Sequence, residues 1–406
     1  VSDRVAAPKA ASVLRELDPR LSTPLMIQTI FVHCAVTIGR VATSYKAVEL
    51  DLSVVWVGAM SGAFSLLPAL LAVPVGRFID RGHDSLATWI GSGFLVFATL
   101  IYWLAPASGG TLLFATAMLG VGQLGCMAGH QMIAVRACKT TRGRDAIFGY
   151  HMVAIAAGQG LAPLIIAWVA GGARIPPTHV LFFAGLLAAL ASLAVGFALT
   201  PAPKEPEGGA PKPRTRLVDL VGIPGLMAYV MASVITITGL DVIVVYLPLL
   251  GVERGIDAGT IGLLMTLRAV SSMGARLVFV PLIDLVGRMP LTYATMLSPA
   301  AAFALIAAPI PLCLMYPAVI VCGIGLGISA TLTLSGVVEV APPTARATAI
   351  SLRLTGNRAG LVFIPFLAGV VASATGVGGV FLVVSAILVA STGGVWAGRK
   401  TADYAA

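Results

Sequence analysis

The chain has 406 residues, 58% hydrophobic and 11% charged, with a mean hydropathy of +0.96. A soluble globular chain carries about 25% charged residues, so this one cannot cover a water-facing surface and reads as an integral membrane protein. Its formal net charge of +9 is read as a membrane-topology signal, and nucleic acid is not an expected partner.

The first residues, VSDRVAAPKAASVLRELDPR, are polar and lack the apolar core of a secretory signal. The first span is therefore expected to act as its own insertion signal. About twenty apolar residues cross a bilayer as a helix, and six such runs lie at roughly 24–45, 54–75, 86–105, 111–134, 146–170 and 178–199. They are continuous and do not alternate, which excludes a β-barrel. Arg40 sits towards the C-terminal end of span 1, where it is expected to reach a cavity or a gate, and Lys46 beyond it is expected to snorkel to water. Span 4 contributes Gln123, His130 and Gln131, and span 5 Gln159, as groups that would orient a ligand; His151 reads as a hydrogen-bonded packing residue. The stretch GVGQLG (120–125) satisfies GxGxxG, but no strand precedes it, and close helix packing through small residues is the better account.

Residues 201–216, PAPKEPEGGAPKPRTR, form a flexible linker rich in Pro, Gly and charge. The expected organisation is a six-helix half (1–200), a linker (201–218) and a second six-helix half (219–406). The later spans lie at roughly 222–249, 260–282, 290–308, 314–336, 347–372 and 378–397. Span 7 carries Asp241, the acidic residue best placed well inside a span. A carboxylate in that medium can load and release a proton near neutral pH. Two readings stand: Asp241 as the proton-coupling site, or as a fixed ion pair with a buried arginine such as Arg268. Met227 and Met231 share a helix face, but with no His or Cys in that span they read as packing and not as a soft-metal site. Span 8 holds Arg268 and Arg276, about 80° apart around the helix; in span 11 Arg353 and Asn357 share a face and Arg358 lies about 140° from Arg353. Arg358 is read as the substrate contact and Arg353 as a gate or structural partner.

Lysines and arginines number 18 on the side of the termini and 3 on the other, with Arg40, Arg268, Arg276, Arg353 and Arg358 inside spans. The positive-inside rule places both termini in the cytoplasm. The halves align by landmarks. Asp80 to Arg144 and Asp284 to Arg346 are 64 and 62 positions, Arg144 to Pro163 and Arg346 to Pro365 are both 19, and Gly158 falls opposite Gly360. That order indicates a duplicated six-helix unit, as in transporters built from parallel repeats.

The loop GRFIDRGHD (76–84) resembles the one between helices 2 and 3 of the major facilitator superfamily, through Gly76, Asp80 and Arg81; Gly82 comes one position early and His83 replaces the second glycine. Its repeat, DLVGR (284–288), keeps Asp284, Gly287 and Arg288. Span 5 resembles the superfamily's antiporter motif at Gly149, Gly158 and Pro163, with Ala162, Ile166 and Ala167 replacing glycines. The resemblance covers the whole chain. It implies an all-α membrane fold of twelve helices in two pseudo-symmetric bundles, working by alternating access. It further implies that Glu339 pairs with the basic loop after helix 8. Asp284, Arg288 and Glu339 then form an inner-gate charge cluster, with Asp80 and Arg81 as its first-half twin.

The chain has no GxxxxGK[ST], GxSxG, HExxH or EF-hand loop, and its cysteines (34, 126, 138, 313, 322) show no CxxC spacing. No enzyme activity, cofactor or metal is expected, and uphill movement must draw on an ion gradient. Embedded arginines outnumber the one clear embedded acid, and arginine suits a carboxylate or phosphate bidentately. The expected function is proton-coupled transport of a small organic anion through Arg358, Arg268, Arg40, Asn357, Gln123 and Gln159, with Asp241 as coupling site. The alternative is a proton-antiport exporter of drugs or metabolites, favoured by the span-5 motif. The expected setting is a bacterial inner membrane, with one chain enclosing its own pathway.

Overall fold

The computed structural model describes residues 18–137, 141–200, 222–223, 225–342 and 346–405; the expected linker, 201–218, lies outside them. Thirteen helices follow one another among the described residues. The first half comprises α1 (Pro19–Glu49), α2 (Val54–Asp80), α3 (Asp84–Leu104), α4 (Gly109–Arg136), α5 (Thr141–Ala170) and α6 (Thr178–Gly196). The second comprises α7 (Leu226–Glu253), α8 (Ala258–Leu277), α9 (Phe279–Val286), α10 (Arg288–Ala307), α11 (Leu312–Val340), α12 (Arg346–Thr375) and α13 (Val377–Ala405).

Eleven of these helices contain a stretch long and apolar enough to cross a membrane, and each coincides with a predicted span. The eighth predicted span is the exception. It is divided at Val278 into α8 and α9, because Pro281 offers no N–H to the Leu277 carbonyl and its ring crowds that carbonyl. Bulky apolar residues such as Trp168, Leu104 and Phe363 are exposed on the outside of the bundle, as a hydrocarbon-facing surface requires.

Helix packing repeats between the halves. In the first, α3 lies on α4, α1 on α5 and α6, α2 on α4, and α3 on α6. In the second, α10 lies on α11, α7 on α12 and α13, α8 on α11, and α10 on α13. The two main seams between halves, α2 with α12 and α5 with α8, exchange under the same correspondence. Glycines permit the close approaches. A Cβ at Gly122 would stand 2.8 Å from the Gly91 carbonyl oxygen, and one at Gly323 2.4 Å from that of Arg268, so the glycine run of span 4 and its repeat are packing surfaces. Gly158 rests on the Ile30 carbonyl of α1, and Gly360 on Val234 of α7.

The halves touch at the end remote from the termini. A Cβ at Gly58 would lie 2.7 Å from the Pro365 carbonyl oxygen, one at Gly369 3.0 Å from that of Val54, and one at Gly262 2.5 Å from that of Pro163. The Ala258 N–H donates across the seam to Ala173 at 2.9 Å. Towards the other end, a Cβ at Gly76, Gly149 or Gly274 would meet nothing within 4 Å. Among the described residues, the close main-chain approaches between the halves gather at one end, here the closed end, and the opposite end is the open end.

Candidate functional site

α1 and α7 are equivalent helices of the two halves and meet at the centre. There Arg40 and Asp241 form a two-point ion pair: Nη1 donates to Oδ1, and Nη2 to Oδ2 at 2.9 Å. Ser61 of α2 joins both, accepting from Arg40 Nη2 at 3.0 Å and donating to Asp241 Oδ2 at 3.1 Å. The Phe64 ring lies 4.4 Å from the guanidinium carbon, adding a cation–π contact. The two side chains are 9% and 11% exposed, so the Coulomb term is weakly screened, and removing one partner strands the other charge. A narrow cleft with room for about one water molecule, lined by Arg40, Ser61, Thr43, Met60 and Thr116, lies beside the pair. The partner of Asp241 is thus Arg40 from the other half, where the sequence suggested Arg268. Helical periodicity reports faces within one helix and not which helices meet across the seam. Ser61 and Phe64 were missed because nothing in span 2 distinguishes them.

The second half carries four more arginines with no carboxylate beside them among the described residues. Arg268 on α8 is 5% exposed and its Nε has no partner; the Nε of Arg276 is also buried and unpaired. Arg353 on α12 donates from Nη2 to the Ala330 carbonyl at 3.3 Å while its Nε is unpaired. Arg358 is half-buried, with no ion pair or hydrogen bond among the described residues. Asn357 faces α7, accepting from the Ser233 hydroxyl at 3.0 Å. Gln123 and Gln159 are half-buried, and Gln131 is exposed.

At the open end, Arg288 at the start of α10 pairs with Glu339 near the end of α11. Asp284 is exposed on α9 and joins no ion pair among the described residues. In the first half the matching contact is made neither by Asp80 nor by Arg81, both exposed. It is made by Asp84 at the start of α3, which receives Arg136 Nε at 2.6 Å and Nη2 at 3.0 Å. At the closed end, Asp257 caps α8, accepting from the Thr260 hydroxyl at 2.6 Å and its N–H at 2.7 Å. These bonds hold its carboxyl below the usual carboxylate range.

A further polar centre lies inside the first half. Gln28 of α1, fully buried, contacts His130 of α4, Ser92 of α3 and the Ser192 carbonyl of α6. His33 lies 3.2 Å from the Met127 sulfur, and the His151 ring meets His130 edge-on with centroids 5.6 Å apart. The sequence reading passed over Gln28 and His33, although a glutamine and three histidines within apolar runs were a visible signal. Among the described residues no group of three or more His, Cys, Asp or Glu side chains is placed to hold a metal ion.

A family model described as Major Facilitator Superfamily matches residues 25–254 and 229–403. No curated protein matches the chain in sequence. Among solved structures, a mutant of the nucleoside transporter NupG superposes with TM-score 0.78 at 13% identity, over 93% of this chain and 99% of that one. A bacterial homolog of the human lysosomal transporter Spinster, inward-facing and occupied, gives 0.72 at 17% identity, over 95% and 98%. A POT family transporter in complex with a thioalcohol-conjugated peptide gives 0.73 at 14% identity, over 94% and 96%.

Proposed function

Since the chain belongs to the major facilitator superfamily, and is accordingly a multi-pass membrane transporter, we propose that it moves a small organic anion, such as a carboxylate, by alternating access coupled to protons. One observation carries the proposal. Asp241 is neutralised by Arg40, while Arg268, Arg276, Arg353 and Arg358 have no carboxylate beside them among the described residues. Uncompensated positive charge in a low-dielectric interior is costly unless a mobile anion supplies the partner.

The proton acts on the central pair. Protonation of Asp241 removes the charge that holds Arg40, and the link between α1 and α7 weakens from an ion pair to a neutral hydrogen bond. The halves then part at the closed end, and Arg40, with Arg268 and Arg358, is available to an anion. Loss of the proton restores the pair and closes that end. By the positive-inside rule the termini are cytoplasmic, so the state described is inward-open, in what we take to be a bacterial inner membrane. The two pairs at the open end, Arg288–Glu339 and Asp84–Arg136, each lie within one half and keep its loop in place while the halves rock.

The test uses purified protein in liposomes loaded with a pH-sensitive dye. Small carboxylates and, separately, lipophilic cations are added outside. Lumenal acidification with carboxylates, absent from protein-free liposomes, is expected. Alkalinisation driven only by lipophilic cations would replace this reading with proton-antiport export, which the span-5 motif favours.

A further inference from the structure

The hydrogen bonds around His130 carry a consequence that the Asp241 pair does not supply. The Ser192 main-chain carbonyl only accepts, so the end of Gln28 that faces it at 3.2 Å is the amide nitrogen, which also lies 3.1 Å from Ser92 Oγ. Gln28 therefore turns its carbonyl oxygen to His130, and at 2.9 Å the His130 Nε2–H must donate. On the other side of the ring, Nδ1 lies 3.2 Å from Thr29 Oγ1. The Thr29 hydroxyl has one proton, directed at the Leu25 carbonyl at 2.7 Å, so its lone pairs face Nδ1. Both ring nitrogens thus meet acceptors, the arrangement that suits a doubly protonated imidazolium. If the Thr29 hydroxyl rotates to donate to Nδ1, the same site suits the neutral ring. Either charge state is fully hydrogen-bonded.

We propose that His130 is a second proton-binding site of the carrier, separate from Asp241, with Gln28 and Thr29 as acceptors for its two N–H groups. Among the described residues, the titratable groups that face it are His33 from α1 and His151 from α5, the latter with a buried Nε2 that has no hydrogen-bond partner there. From α3 the nearest carboxylate is Asp84, already bound by Arg136. The α6 helix presents Ser192, and α2 touches α4 through Phe64 at Gly120. With no carboxylate in contact among the described residues, burial opposes the charge, and these hydrogen bonds hold the proton.

The test is a pH titration by NMR of protein in lipid nanodiscs with its five histidines labelled in ¹³C and ¹⁵N. The His130 ring is expected to pass, on acidification from pH 8 to 4.5, from one neutral tautomer to the form with both nitrogens protonated. Removing one acceptor of a charged donor by Thr29→Val should lower the midpoint by about one pH unit. Thr29→Ser, which keeps the oxygen, should leave it in place, as should Asp241→Asn. Should Thr29→Val fail to fold, Gln28→Glu supplies the opposite arm, since a carboxylate at that position should raise the midpoint by about a unit or more. A His130 ring neutral down to pH 4.5 in the wild type, or a midpoint unmoved by both variants, would overturn the assignment. Dependence of the midpoint on Asp241 would return the proton to the central pair.

Discussion

The two halves repeat their backbone packing and not their charges. Gly158 and Gly360, 202 positions apart, each press on the first helix of their own half. Asp84 and Arg288, 204 positions apart, begin the equivalent helices α3 and α10, and each binds a side chain near the end of the following helix, but with opposite sign: Asp84 to Arg136, Arg288 to Glu339. At one pair of equivalent positions inside the halves, the first has His151 and the second Arg353. Steric fit is shared because both halves must solve one packing problem. The charged contacts differ in sign at equivalent positions.

The largest effect should come where the halves meet. Asp241→Asn strands Arg40 in a buried site, and a loss of about 3–5 kcal/mol in thermal unfolding is expected. Proton-driven accumulation should vanish while substrate counterflow persists; intact accumulation would remove Asp241 from the coupling.

The charge-reversed twins should differ sharply. The Asp84 side chain is 1% exposed and that of Glu339 is 64% exposed. Asp84→Asn should cost about 3 kcal/mol and Glu339→Gln less than about 1 kcal/mol. If Asp84→Arg combined with Arg136→Asp recovers stability, the sign of each pair is interchangeable, and equal losses for the two single variants would end the comparison.

The glycine pair gives a smaller contrast. A Cβ at Gly158 would lie 2.4 Å from a main-chain oxygen, but one at Gly360 would lie 2.4 Å from a valine methyl that can move. Gly158→Ala should cost about 2–3 kcal/mol and Gly360→Ala about 1 kcal/mol, read from unfolding in detergent. Arg358→Lys keeps the charge and loses the planar fork, so affinity for a carboxylate substrate should fall about tenfold, or 1.4 kcal/mol. Unchanged affinity would return Arg358 to the scaffold.

The least effect lies at the equivalent helix starts, 204 positions apart. Asp257 caps α8 with its side chain, whereas Ser53 at the start of α2 makes no side-chain cap bond. Asp257→Ala should cost about 1 kcal/mol and Ser53→Ala close to nothing. Because folding depresses the Asp257 carboxyl, its contribution is fully present above the unfolded value near pH 4. It is lost as pH falls through the lower folded value. The wild-type difference from Asp257→Ala should therefore narrow only on strong acidification.

Much of this architecture was legible because hydropathy and charge are summed quantities that tolerate local error. Eleven spans and the duplication followed from run length and landmark spacing. The break at Val278 did not, since Pro163, Pro248 and Pro365 lie within unbroken helices and a proline alone does not say which helix yields. Site geometry was less legible still. Arg40 and Asp241 could each be singled out, but their meeting is a property of the seam between helices about 200 residues apart, on which periodicity is silent. The His130 network was hidden for a related reason: its partners come from three helices besides its own, and only coordinates reveal which atoms accept.

Where α2 meets α12, glycines on both sides bring main chain against main chain, with Gly58 and Gly369 in contact and the Tyr246 hydroxyl, bonded to the Pro365 carbonyl of α12, beside both. Contacts of this kind are individually worth under about 1 kcal/mol. Two such faces can separate without any rotamer having to unlock, much as smooth plates part more readily than meshed gears. On the proposed mechanism, the Arg40–Asp241 pair is then the charged tie that a proton would have to release before the halves part.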